Sequence, residues 1–179
     1  MNALLRFCRI VDAINDRLGW IAAWAVLAAC LISAGNALIR YGLDISSNAW
    51  LEIQWYLFAV TVMLGAAYVL RRNEHVRVDI LYSRLSGRGQ VLLDLFGLAC
   101  FLLPVMALLL VLSWPIFERA LVSGEVSSNA GGLVRWPAML TLPLGFALLC
   151  LQAVAEIIKR IAYLQGRYRM DAQYEKPLQ

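Results

Sequence analysis

Residues 50–70 read Trp-Leu-Glu-Ile-Gln-Trp-Tyr-Leu-Phe-Ala-Val-Thr-Val-Met-Leu-Gly-Ala-Ala-Tyr-Val-Leu, and Arg71-Arg72 follow at once. After Gln54 the run carries no charge until those arginines. A surface helix of a soluble protein interrupts its apolar stripe with polar residues at every turn. This run does not, and its length is the roughly 20 residues that cross a hydrocarbon core. The chain is therefore read as membrane-spanning.

Three more runs have the same character: Leu18–Ile39, a stretch that starts near Val91, and Trp136–Ile158. Composition agrees. Hydrophobic residues make up 61% and charged residues 16%, against about 25% charged in an ordinary soluble domain. The expected fold is an all-α integral membrane protein with four transmembrane helices, forming one membrane domain over residues 1–179. The spans are set at about 18–39, 50–70, 91–113 and 136–158, with a tail over 159–179.

The third run stays apolar to about Val122 and is interrupted by Pro104 and Trp114-Pro115. It exceeds what a bilayer needs, so it tilts, kinks at Pro104 or projects on the outer side. The fourth opens on Trp136-Pro137, with proline where its missing N–H costs nothing and tryptophan at interfacial depth. Pro143 is expected to bend it. The first run follows Arg6, Arg9 and Arg17 as a signal peptide would. Its apolar stretch is longer than the usual 7–15 residues, and no small-residue cleavage site follows it, so it is expected to stay as a span.

The Lys and Arg residues set the orientation. The N-terminal segment carries three, the second loop five and the tail five, whereas the first and third loops carry one and two. Positive residues mark the cytoplasmic side, so both termini and the second loop are expected inside. In that loop Val78, Leu81, Tyr82 and Leu85 recur at helical spacing, with Arg77, Arg84 and Arg88 on another face. A short helix lying in the cytoplasmic interface is expected there. The third loop, Ser123 to Gly132, is rich in Ser, Gly and Asn and is expected to be flexible and outside.

Catalytic chemistry is scarce. His75 is the single histidine, so bis-histidine haem ligation is excluded. Clustered zinc ligands, nucleophile elbows and phosphate loops are absent. Cys8, Cys30, Cys100 and Cys150 have no metal or disulfide spacing. No cofactor or metal is implied, and an enzyme is not expected. The basic residues sit in clusters between apolar runs, which suits membrane topology and not a nucleic-acid-tracking face.

Ionisable residues near spans are costly and often functional. Arg40 closes the first span and Glu52 opens the second, so the two are candidates for a charge-assisted pair across the short first loop. Asp94 stands near the start of the third span. Glu156 has Lys159 and Arg160 at i+3 and i+4, which reads as ordinary helix-surface pairing. None of these lies at mid-membrane, which argues against a proton relay. Ala25, Ala29, Ser33 and Ala37 recur every four residues on the first span, and Thr61 and Gly65 do so on the second. Small residues at this spacing allow close helix contact.

The run from Asn48 through Trp50, Glu52 and Leu64-Gly-Ala-Ala to Glu74-His-Val-Arg-Val-Asp79 resembles the signature region of the small permease subunits of tripartite ATP-independent periplasmic (TRAP) transporters. Arg40, Trp50, Glu52, Gly65, Arg71, His75 and Asp79 match the family's places. Gly131-Gly-Leu-Val-Arg-Trp-Pro137 and Leu142-Pro-Leu-Gly-Phe146, continuing through Gln152 and Glu156, resemble its last span. The chain departs from many relatives in having Leu51-Glu52-Ile53 where they carry two successive acidic residues.

The resemblance implies a bacterial inner-membrane partner of a large permease subunit and a periplasmic substrate-binding protein. Together these would take up an organic acid on a sodium gradient, with this chain as a scaffold that binds neither substrate nor sodium. A small multidrug exporter is the competing class, but it would place an acidic residue deep in the first span, which here has none. A structural anchor of a respiratory complex would call for haem-ligating histidines.

Overall fold

The computed structural model describes residues 2–45, 47–73, 82 and 85–169. In chain order the elements are α1 (Asn2–Leu43), α2 (Asn48–Arg72), α3 (Gly87–Gly97), a π-helical turn (Leu98–Leu102), α4 (Leu103–Ser123) and α5 (Trp136–Leu164). α3, the π turn and α4 run on as one 37-residue helix. Four helices are thus long and apolar enough to cross a membrane, as the hydropathy pattern predicts. Among the described residues the only extended pairing is an isolated antiparallel bridge, Val126 to Val134.

The helices outrun the expected spans. α1 begins at Asn2 instead of near Leu18, so the basic N-terminal segment is helical and continuous with the span. The third helix covers Gly87–Ser123, and α5 continues past Ile158 to Leu164. Apolar length reports where a helix meets hydrocarbon, whereas the added turns carry polar residues that hydropathy reads as ends, among them Asp12, Lys159 and Arg160, which pair across α1, α3 and α5. The expected interfacial helix falls on residues 78–85, of which Val78, Leu81 and Arg84 lie outside the described residues.

Local chemistry explains the element ends. Ser47 is extended before α2 and Asn73 closes it in the left-handed region at φ 60°, with its N–H on Leu70 O. Asparagine tolerates that conformation better than most residues. The Ser86 hydroxyl caps α3 by accepting from Gly89 N–H. Gly124, at φ 60°, ends α4.

The π turn has an identifiable cause. Pro104 has no N–H, and in an α-helix its ring would press on the carbonyl four residues back. The wider turn carries the helix past that position, with Leu103 N–H reaching Leu98 O, five residues back. The interruption expected at Pro104 therefore takes the form of a π turn immediately before it.

α5 is the hub. It packs against α1, α2 and the long α3–α4 helix, and α1 also runs along α2. Helices in lipid gain little from the hydrophobic effect against each other, so close contact depends on small side chains. Three clusters follow that rule: Cys8 and Val11 on Ala155, Leu64 and Ala67 on Leu148, and Leu70 and Leu98 on Ala153. Gly145 marks the closest approach of α5 to α2. A Cβ built there would lie 2.7 Å from Met63 Cβ and 2.8 Å from the Met63 carbonyl oxygen.

Candidate functional site

Polar side chains gather in two layers, one at each end of the helices. At one end Asn15 Nδ2 donates to Gln152 Oε1 at 2.7 Å. Gln152 Nε2 donates to Asp12 Oδ1 at 3.0 Å and to Glu156 Oε1 at 2.9 Å. Lys159 Nζ donates to both Asp12 oxygens, at 3.0 and 3.1 Å, and to Glu156. Arg160 joins Glu156 to Asp94, with Nη2 3.1 Å from Asp94 Oδ2. Tyr82 donates its hydroxyl to the same Asp94 oxygen. Arg71 pairs with Asp16 and reaches Asp12 at 3.5 Å.

One connected set thus ties α1, α2, α3 and α5 together. Asn15 and Gln152 are fully buried, and Glu156, Lys159 and Arg160 are at most 7% exposed. Four carboxylates meet three cations, so almost all charge is matched inside the chain. Buried charges are tolerable in this way, since breaking one pair leaves an uncompensated ion. Asn15 Oδ1 is buried without a hydrogen-bond partner among the described residues.

The surface pairing expected for Glu156 is corrected by this layer. Its i+3 and i+4 pairs with Lys159 and Arg160 form, but inside the bundle, because the face they share is the one α5 turns to α1 and α3. Asp12, Asn15 and Gln152 were missed as functional residues. Their signal is complementarity, visible only once two polar stripes are known to sit at one depth: Asp12-Asn15-Asp16 at i, i+3, i+4, and Gln152-Glu156-Lys159-Arg160 at i, i+4, i+7, i+8.

At the other end the loop between α4 and α5 folds as a small hairpin. Ser127 N–H bonds Leu133 O, Arg135 N–H bonds Glu125 O, and the Arg135 and Glu125 side chains pair. The flexible loop expected over Ser123–Gly132 is therefore structured. Glu52, 4% exposed, holds it: Oε1 accepts from Asn129 Nδ2 at 2.8 Å and Oε2 from Leu133 N–H at 2.7 Å. Tyr56 donates to Val134 O at 2.8 Å, and Asn48 Nδ2 donates to Ala130 O at 3.1 Å. An open cleft of about 340 Å³ lies beside these contacts, lined by Glu52, Tyr56, Ser127, Asn129 and Arg135 among others.

Arg40 and Glu52 are not brought together. Arg40 is exposed in the last turn of α1, while both Glu52 oxygens serve the hairpin. Trp50 is 48% exposed at the start of α2. Gly65 faces α1, where a Cβ built on it would stand 3.6 Å from Ala22 Cβ. Ala25 and Ala29 are buried, whereas Ser33 and Ala37 are exposed. The close-packing stripe of α1 is therefore Ala22-Ala25-Ala29, and it ends earlier than the four-residue repeat suggests. His75 and Asp79 lie outside the described residues.

The spacing of the two layers is informative. Glu52 and Arg71 are nineteen residues apart on α2, about 29 Å at ~1.5 Å per residue. That is the thickness of a hydrocarbon core, ~30 Å. Exposed Trp50, Trp55 and Trp114 mark the hairpin end, and exposed Trp20 lies one turn from Asp16 at the other, as aromatic belts do. Among the described residues no group of three or more His, Cys, Asp or Glu could hold a metal ion.

The family model of the DctQ component of tripartite ATP-independent periplasmic transporters matches residues 29–162. A Haemophilus influenzae protein provisionally named TRAP transporter small permease protein is 28% identical over 127 residues, covering 68% of this chain and 76% of that one. C4-dicarboxylate TRAP transporter small permease proteins DctQ from Pseudomonas aeruginosa and Vibrio cholerae are 31% and 29% identical. Those matches cover 73% and 61% of this chain, and 61% and 45% of theirs. No solved structure matches at a significant level. With three quarters of the chain under the family model and four membrane-length helices, the chain belongs to the DctQ component family of TRAP transporters: it is a small permease subunit, a component of a transporter and not an enzyme.

Proposed function

We propose that this chain is the membrane scaffold of its transporter, holding a large permease subunit that moves an organic acid on a sodium gradient after delivery by a periplasmic binding protein. Both termini and the inner polar layer face the cytoplasm, and the hairpin faces the periplasm. The observation that carries this reading is the distribution of polar groups. They sit in two layers, the inner with almost all its charge matched within the chain and the outer with both Glu52 oxygens hydrogen-bonded to the hairpin, and the zone between is built mainly from apolar and small side chains. A protein that conducted ions or substrate itself would need polar groups in that zone. The names of the Pseudomonas and Vibrio relatives support an organic diacid as substrate, and the Arg and Lys distribution supports the orientation.

The test is uptake of labelled C4-dicarboxylates and other organic acids into proteoliposomes under a sodium gradient. Transport is expected from the small subunit, large subunit and binding protein together, and not from this chain alone. Gradient-driven transport by the chain alone would overturn the scaffold reading. So would full transport by the other two components without it.

A further inference from the structure

α1 carries a second face that its packing leaves free. Arg6, Arg9, Ala13, Arg17, Trp20 and Trp24 follow one another by three, four, four, three and four residues, so they form one ridge along the helix. All six are exposed. Trp20 and Trp24 are 65% and 54% exposed and pack edge to face with ring centroids 5.6 Å apart. Buried Cys8, Val11, Asn15 and Ala22 line the other side of the helix.

The three arginines differ from the cations of the inner polar layer. Arg71, Lys159 and Arg160 each meet a carboxylate. Arg6, Arg9 and Arg17 have no ion-pair or hydrogen-bond partner among the described residues. Depth orders the ridge. Arg17 adjoins Asp16, which belongs to the polar layer through Arg71. The tryptophans stand one and two turns further into the apolar zone, and Arg9 and Arg6 two and three turns the other way. That is the order of one bilayer leaflet: headgroup phosphates outermost, then acyl chains.

We propose that this ridge binds acidic phospholipids of the cytoplasmic leaflet, the arginines holding headgroup phosphates and the tryptophan pair lying along the acyl chains beneath them. A guanidinium fork suits phosphate oxygens. The phosphates of that leaflet supply the complementary negative charge along the whole row of arginines, and the acyl chains below them suit the tryptophans. The assignment rests on the orientation given under Proposed function.

The experiment is native mass spectrometry of the full-length chain in detergent, titrated with phosphatidylglycerol or phosphatidylcholine. Wild type is expected to favour phosphatidylglycerol, at roughly fivefold per arginine. The R6Q/R9Q/R17Q variant should lose that preference, and R6K/R9K/R17K should keep most of it. Soluble glycerol phosphate, which has no acyl chains, should compete poorly.

Unchanged preference in the glutamine variant, or competition by glycerol phosphate as good as by the lipid, would overturn the proposal. So would loss of co-purification with the large subunit while lipid preference stays intact, because the ridge would then be a protein contact. Binding in detergent does not depend on orientation. Reporters placed on the termini therefore test the orientation separately, and an outside location would sink that reading without altering the lipid result.

Discussion

Glu52 shows how one side chain acts through geometry that hydropathy cannot supply. It opens a span, and its two oxygens are used by Asn129 Nδ2 and Leu133 N–H of a loop some eighty residues later. Replacing it by Ala leaves both donors without their anionic acceptor, and hydrogen bonds to charged groups are among the stronger ones. Glu52→Ala is expected to speed proteolytic cleavage within residues 125–135 by roughly tenfold, with Glu52→Gln intermediate because an amide oxygen remains; equal cleavage in all three proteins would refute the latch. Gly145 acts by absence. A side chain there meets the Met63 backbone, which cannot swing aside as a side chain could. Gly145→Leu should cost about 1–3 kcal/mol by overpacking, read as a lowered midpoint of thermal unfolding in detergent. A midpoint equal to wild type would mean that α2 and α5 are not so close.

At the scale of elements, α5 does most of the organising, because its inner end carries the polar stripe that α1 and α3 complete. Lys159 is the keystone: it bridges Asp12 of α1 and Glu156 of its own helix at 7% exposure. Lys159→Met leaves two carboxylates under-compensated in a buried setting, for which about 3–5 kcal/mol is typical. Asp12→Asn in the same chain should recover part of that loss in thermal unfolding, whereas additive losses would show that the two side chains do not interact. The π turn makes a separate prediction. Deleting Cys100 removes the extra residue and turns α4 by about 100° relative to α3. The Asp94–Arg160 bridge and the packing of α4 on α5 then cannot both persist, so the variant should unfold at lower temperature than one with the same deletion placed in the 125–131 loop.

For the whole molecule, the two polar layers stand about one hydrocarbon thickness apart, and the charge asymmetry supports the orientation proposed above, with both termini inside. A reporter active only in the cytoplasm should give signal at either terminus, and one active only in the periplasm should give signal when inserted after Ser128. Opposite signals at the two termini would mean an odd number of spans and contradict the fold.

The four spans were legible because a bilayer selects length and apolarity, and both are properties of a linear run. Pro104, Pro137 and the terminal Trp residues carried local meaning for the same reason. The family was legible too, since its motifs lie in order along residues 40–79 and 131–156. The site was only half legible. Glu52 stood out by position, but its partner did not, because Arg40 is near in sequence while Asn129 and Leu133 are near in space. The inner network was hidden more deeply. Asp12, Asn15, Gln152 and Lys159 look like ordinary residues at the ends of spans, and only the packing of α1 on α5 turns two solvated-looking stripes into a buried, charge-matched layer. Sequence by itself determined that the chain carries four helices long and apolar enough to cross a membrane, because both properties accumulate residue by residue along a run. Which polar groups meet was decided by tertiary structure alone, because pairing depends on the faces that helices choose to share.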